Sequence, residues 1–221
     1  MKLGAPGDLK LPQVNVNNVE YTGTINMGTQ QQRLTVVWDT GSSWIAVEGK
    51  DCSTCFEPVY NYDESDTYSW RGSSITKRIA YGTTEVTGYQ AIDTVCLDFP
   101  DSERESPNDF GRNKKYYEAC VDNFNIFIIA DQKGMDNIDG IVGLATGFGK
   151  SDNPMLIPQL KKQKKISYAV FGFSLSGMAE ESFLDVGVLK LSHMRSRREL
   201  IWVDAVNTAK VWTTNMNGIR F

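Results

Sequence analysis

The sequence predicts an all-β domain, on three observations. Segments rich in β-branched and aromatic residues recur along the chain, Gly, Asn and Asp break them at short intervals, and only one stretch has helical spacing. The β segments are Val19 to Met27, Leu34 to Trp38, Ile79 to Tyr81, Val86 to Leu97, Phe124 to Ala130 and Tyr168 to Leu175. The helix is expected over Pro154 to Ile166, where Met155, Leu156 and Leu160 fall on one side and lysines on the other, with Ser151-Asp152-Asn153 as its cap region. Strands at such spacing point to a sandwich or barrel-like fold, not to alternating βαβ units. No repeat or low-complexity linker divides the chain, so residues 1–221 are expected to form a single unit. Within it, the polar run Asp98 to Glu118, with Pro100, Pro107 and Gly111, reads as a long exposed loop (98–119) between two strands.

Composition narrows the function. The 221 residues are 41% hydrophobic, 11% aromatic and 23% charged, which is ordinary for a globular protein and excludes compositional disorder. A net charge of -4 argues against a nucleic-acid or anionic-membrane partner. The basic clusters Lys161-Lys162-Gln163-Lys164-Lys165 and Arg195-Ser196-Arg197-Arg198 read as solvated surface. No run approaches the roughly 20 apolar residues of a membrane span. Met1-Lys2-Leu3-Gly4 shows no apolar signal core.

Four cysteines fall as Cys52-x-x-Cys55, Cys96 and Cys120. A zinc site would need a second close pair, and a redox CxxC would need βαβ surroundings. The preferred reading, over free thiols, is a short Cys52–Cys55 disulfide loop plus a Cys96–Cys120 disulfide at the feet of the 98–119 loop. It implies a secretory, lysosomal, vacuolar or extracellular compartment.

The catalytic candidates reduce to carboxylates. The one histidine, His193, stands among arginines in a polar stretch, without a GxSxG elbow, an HExxH helix or a phosphate-cradling lysine loop. Asp39 is different. The apolar run Leu34-Thr35-Val36-Val37-Trp38 delivers it to a strand end, and Gly41 allows a sharp turn with its N–H near the carboxylate. Thr40 and Ser42 can hydrogen-bond around it and favour its ionised form. An ordinary Asp-Thr-Gly turn between strands fits those three residues equally well.

The ordered motifs that follow break the tie. They are Ile79-Ala80-Tyr81-Gly82-Thr83, Val86-Thr87-Gly88, Asn137-Ile138-Asp139-Gly140-Ile141-Val142-Gly143-Leu144-Ala145, Pro158-Gln159-Leu160, Phe171-Gly172-Phe173-Ser174-Leu175 and Phe183-Leu184-Asp185-Val186-Gly187. In this order they resemble the pepsin-like aspartic proteases from Val19 to Trp212. The resemblance implies a single pepsin-like N-terminal lobe, an orthogonal β-sheet barrel-like domain with a flap hairpin and one or two short helices, its strands over 200–221 leading towards a C-terminal lobe. It makes Asp39 the catalytic aspartate of that lobe, with Thr40, Gly41 and Ser42 in support and Tyr81, Gly82 and Thr83 in the substrate-covering flap. Asp139 to Gly143 becomes the strand beneath the active loop. Tyr81, Phe124 to Ile129 and Ile141 would wall apolar pockets, or serve only as core.

Two departures qualify the resemblance. The family tryptophan that hydrogen-bonds the flap tyrosine is replaced by Ala46, with Trp44 nearby instead. A second Asp-Thr/Ser-Gly is also missing, since Asp93-Thr94-Val95 and Asp101-Ser102-Glu103 lack both glycine and an apolar entry strand. Aspartic peptidases need two carboxylates about 3 Å apart sharing one proton, one as base and one as acid. The implied function is therefore an aspartic-type endopeptidase lobe, needing no cofactor or metal and acting on peptide or protein substrates. Its second aspartate would come from a C-terminal lobe of the same precursor or a second copy of the chain. A catalytically silent, protease-like binding module is the alternative.

Overall fold

The computed structural model describes residues 9–56, 58–71, 77–98, 119–146, 155–177, 180–188, 201–206, 211–216 and 218. Their strands are β1 (Leu9–Val16), β2 (Glu20–Met27), β3 (Gln32–Asp39), β4 (Ile45–Glu48), β5 (Ser69–Trp70), β6 (Lys77–Tyr81), β7 (Thr84–Leu97), β8 (Cys120–Lys133), β9 (Gly140–Gly143), β10 (Phe171–Ser174) and β11 (Ser182–Val186). A helix, α1 (Leu156–Lys162), and a short 3-10 turn at Tyr62–Glu64 complete the described elements.

Six strands close on themselves. β2 pairs with β3, β3 with β9, β9 with β4, β4 with β8, β8 with β7, and β7 returns to β2. The β3–β9 and β4–β8 pairs are parallel, the rest of the ring antiparallel. β1 leaves the ring: Val14–Val16 pair with β2, while Leu9–Gln13 pair with β11, which carries β10 on its other side. The barrel-like all-β expectation therefore holds.

Burial explains the sequence pattern. β8 packs both of its faces, Ile126 and Ile128 into the main core with Ile25, Leu34 and Val36, and Phe127 and Ile129 into a smaller cluster under the β6–β7 hairpin. Hence its apolar run is continuous, whereas β3 alternates with Leu34, Val36 and Trp38 inward. Each large side chain buried this way contributes about 1.5–3 kcal/mol.

Some expectations need correction. The helix is shorter than Pro154 to Ile166, starting at Leu156 after a Met155 cap position that makes no side-chain hydrogen bond. Pro158 fits because it is the third helical residue, where an N–H has no intrahelical partner in any case. The chain leaves the helix through Lys164 at φ 60°. The proposed cap Ser151-Asp152-Asn153, residues 99–118 of the long loop, His193 and the arginine cluster lie outside the described residues. The strands anticipated over 200–221 do not form among its described residues, which are cross-linked by Val206 N–H to Thr213 C=O at 2.8 Å and by the Thr214 hydroxyl to Asp204 C=O at 3.2 Å. Both disulfides are formed, Cys52–Cys55 and Cys96–Cys120, the latter across the antiparallel β7–β8 pair.

Candidate active site

Asp39 ends β3, held there by β9. The parallel register sets Val36 beside Gly140 and Asp39 beside Gly143. Beyond the strand, the 39–44 turn lies against 143–145. Leu144 N–H donates to Asp39 C=O at 2.7 Å, Gly143 N–H to Trp44 C=O at 2.8 Å and Ala145 N–H to Ser42 C=O at 2.9 Å. Position 143 must be glycine, because a Cβ there would stand 2.6 Å from the Ser42 carbonyl oxygen. The half-buried Asp39 carboxylate accepts the Gly41 N–H at Oδ1, 2.8 Å. The Thr40 side chain is exposed, and the Ser42 Oγ is buried without a hydrogen-bond partner. The turn thus brings to the carboxylate the Gly41 N–H that the sequence suggested, while the Ser42 hydroxyl does not reach it.

Over this turn stands the β6–β7 hairpin. Tyr81 pairs with Thr84, leaving Gly82-Thr83 as a two-residue tip, with Gly82 at φ 56°. The Tyr81 ring packs on the cluster of Phe127, Ile129 and Ile141, to which Trp44 also adds, its ring 6.0 Å from that of Phe127. Ala46 is fully buried there and offers no donor or acceptor side chain. Accordingly the Tyr81 hydroxyl is buried without a partner. Burial, and secondarily the charge of Asp39, push the phenol above its ordinary range. Between turn and hairpin runs a cleft of about 830 Å³, lined by Asp39, Ser42, Trp44, Ile79, Tyr81 and Ile138 among others.

Beneath the cleft lies a feature that the motifs did not reveal. Asp139 donates its N–H to Thr35 C=O at 2.8 Å, accepts the Thr35 N–H at Oδ2 at 2.6 Å, and accepts the Glu48 N–H at its own carbonyl at 2.9 Å. It thereby ties β3, β9 and β4 together. Glu48 is only 2% exposed. Burial, reinforced by the Asp139 charge and opposed by a hydrogen bond from the Phe56 backbone, pushes its carboxyl up to about 7. Asp139 is also raised, by burial, against the lowering effect of its Thr35 bonds. The one sequence signal for Glu48 was an acid closing an apolar tetrad.

On the other side of the Asp39 turn, an apolar hollow of about 590 Å³ is lined by Thr40, Leu144, Phe171, Trp202 and Trp212 among others. Trp212 donates Nε1–H to Leu144 C=O at 2.8 Å and meets Phe171 edge-on at 5.8 Å. Among the described residues, no group of three or more His, Cys, Asp or Glu is placed to hold a metal, and no helix is long and apolar enough to cross a membrane.

An aspartate at the head of a parallel strand pair, facing a cleft under a tyrosine-bearing hairpin, defines the class: a lobe of aspartic-protease fold. The chain belongs to the eukaryotic aspartyl protease family, whose model matches residues 20–221. It is 32% identical over 211 residues to pepsin II-1 of Oryctolagus cuniculus, covering 93% of this chain and 49% of that protein. It is 32% identical over 178 residues to human cathepsin D, covering 75% and 41% respectively. An aspartic proteinase from Irpex lacteus superposes with a TM-score of 0.62 at 19% identity, over 86% of this chain and 51% of that one. The chain thus spans about half the length of the relatives it matches.

Proposed function

We propose that this chain is the aspartate-bearing half of an aspartic-type endopeptidase, with Asp39 as one member of a dyad whose other aspartate is contributed by a second lobe. The observation that carries the reading is the Asp39 carboxylate, set by β9 at the edge of a cleft that Tyr81 and Gly82 of the β6–β7 hairpin also line. In the proposed reaction, the ionised member of the dyad takes a proton from a bound water, which attacks the scissile carbonyl. The protonated member hydrogen-bonds the developing oxyanion and then returns a proton to the leaving amine. Apolar walls from Trp44, Ile79, Tyr81 and Ile138 suit hydrophobic residues beside the scissile bond.

The second lobe is inferred from an uncovered surface. Ile201, Trp202, Val203, Trp212 and Met216 are each more than half exposed and lie in the segments around the apolar hollow. So much exposed apolar surface marks an interface. A lobe of the same precursor is the favoured occupant, and a second copy the alternative. The two disulfides favour a secretory, lysosomal, vacuolar or extracellular setting.

The experiment is acid-pH digestion of an unfolded protein by the purified chain, alone and joined to a second aspartate-bearing lobe. The reading expects cleavage only from the joined form, abolished by Asp39→Asn. Robust cleavage by the monomeric chain, lost in Asp39→Asn, would overturn it. So would a joined form that folds and binds peptide but never cleaves, the behaviour of a silent binding module.

A further inference from the structure

The cleft over Asp39 has an uneven distribution of charge. Among the described residues its lining holds three carboxylates, Glu20, Asp39 and Asp136, and not one Lys, Arg or His. Glu20 opens β2, and extending the Thr22–Val37 register by two residues brings it level with Asp39. Asp136 lies across the cleft, on the β8–β9 loop beside Gly134, whose carbonyl accepts the Thr84 hydroxyl at the base of the hairpin at 2.8 Å. Neither Glu20 nor Asp136 forms an ion pair with a described residue, unlike Glu85, which pairs with Arg78 on the outer side of the same hairpin. Like charges facing a shared cavity without counter-ions raise one another's energy, and the walls between them, Trp44, Ile79, Tyr81 and Ile138, are apolar. A ligand that fits must bring apolar groups to the middle and positive charge to the ends.

We propose that the cleft selects cationic peptides, in which hydrophobic residues at the centre are flanked by Lys or Arg that meet Glu20 on one side and Asp136 on the other. The proposal rests on the reading of this cleft as a peptide-binding site and names its substrate class. Glu20 and Asp136 are specificity-determining residues in it, with no part in bond cleavage. Because Asp136 is exposed and Glu20 only half-buried, each contributes modestly: unit charges about 7 Å apart in water change affinity roughly twofold at low ionic strength, and less as salt shortens the Debye length. The two together set an expected span of about fourfold between a neutral and a doubly cationic peptide.

The test uses the full 221-residue chain and fluorescent octapeptides with one hydrophobic core, made uncleavable by a hydroxyethylene link, and with Lys, Gln or Glu at both flanks. Dissociation constants from anisotropy are measured at about 25 mM and about 500 mM salt, near pH 6.5, where exposed carboxylates are ionised. Binding should rank Lys over Gln over Glu, with roughly fourfold per step at low salt, collapsing at high salt. In Glu20→Gln/Asp136→Asn, checked for folding by circular dichroism, the Lys peptide should fall to the affinity of the Gln peptide. Equal binding of the three peptides by the native chain overturns the proposal and leaves the peptide-cleft reading intact. A Lys preference that survives in the double variant overturns the assignment to these two residues. Failure of every peptide to bind removes the cleft reading and the proposal with it.

Discussion

Glu48 sits almost fully buried on β4 beside Asp139, and changing it to Gln removes one ionisable group without changing its shape. Its carboxyl is raised from 4.5 to about 7 by burial first and by the Asp139 charge second. Since the folded value is raised, the group costs nothing below about pH 4.5, where both states hold the proton. The cost grows as the unfolded chain ionises while the folded one does not, and is complete above about pH 7. A shift of that size corresponds to roughly 3.4 kcal/mol, which relaxation of the surroundings reduces to about 2 kcal/mol. Urea unfolding at about pH 4 and about pH 7.5, disulfides intact, reads this directly. The native chain should lose stability across the interval by about 2 kcal/mol more than Glu48→Gln does. An equal loss in both proteins, or a larger one in the variant, would show that Glu48 is not held protonated by its surroundings.

Further outcomes follow from the same geometry. Tyr81→Phe deletes a buried hydroxyl that has no partner, so stability should hold or rise by up to about 1 kcal/mol in denaturant unfolding; a loss of that size would reveal a bond to this oxygen. Removing the Cys96–Cys120 disulfide, which spans 24 positions, should lower unfolding stability by about 3 kcal/mol through the freed unfolded chain. Removing Cys52–Cys55, separated by only 3 positions, should cost distinctly less in the same measurement.

Much of the fold was legible because its signals are local. β2, β3, β6, β7 and β8 each announce themselves by β-branched and aromatic runs, and the structure lengthens all but β2, which starts one residue later than expected. The flap tip was visible because a two-residue turn needs a residue such as Gly82 at positive φ. β1, β4 and β11 were not identified as strands, and β9 was visible only through the family resemblance. Ile45–Glu48 and Gly140–Gly143 are four residues each, and glycines bound the latter. They are strands because partners on both sides supply their hydrogen bonds, and a single sequence does not display that. At the site, Asp39 and Tyr81 could be found from motif order. The burial of Glu48 and the docking of Trp212 on Leu144 could not, since both depend on which distant strand or turn lies alongside.

The described contacts that place Asp39 all come from this one lobe: the β9 register, the Leu144 N–H on its carbonyl and the Gly41 N–H on its carboxylate. Its orientation is therefore set by this lobe's own contacts, which is what preorganisation would require of the proposed catalytic group. On the proposed mechanism Asp39 still needs an acid to work with it. The Tyr81 hydroxyl, on a side chain lining the same cleft, is a candidate for that role. Yet the same burial that seats its ring, together with the Asp39 charge, makes the phenol hold its proton harder than a free tyrosine. A general acid works best with a pKa near the working pH, so burial first, and the Asp39 charge second, disqualify Tyr81. On the proposed two-carboxylate mechanism the proton comes from another carboxyl group, and the solvent-exposed Thr40 side of the turn, bordering the apolar hollow, is the side from which the proposed second lobe would bring it.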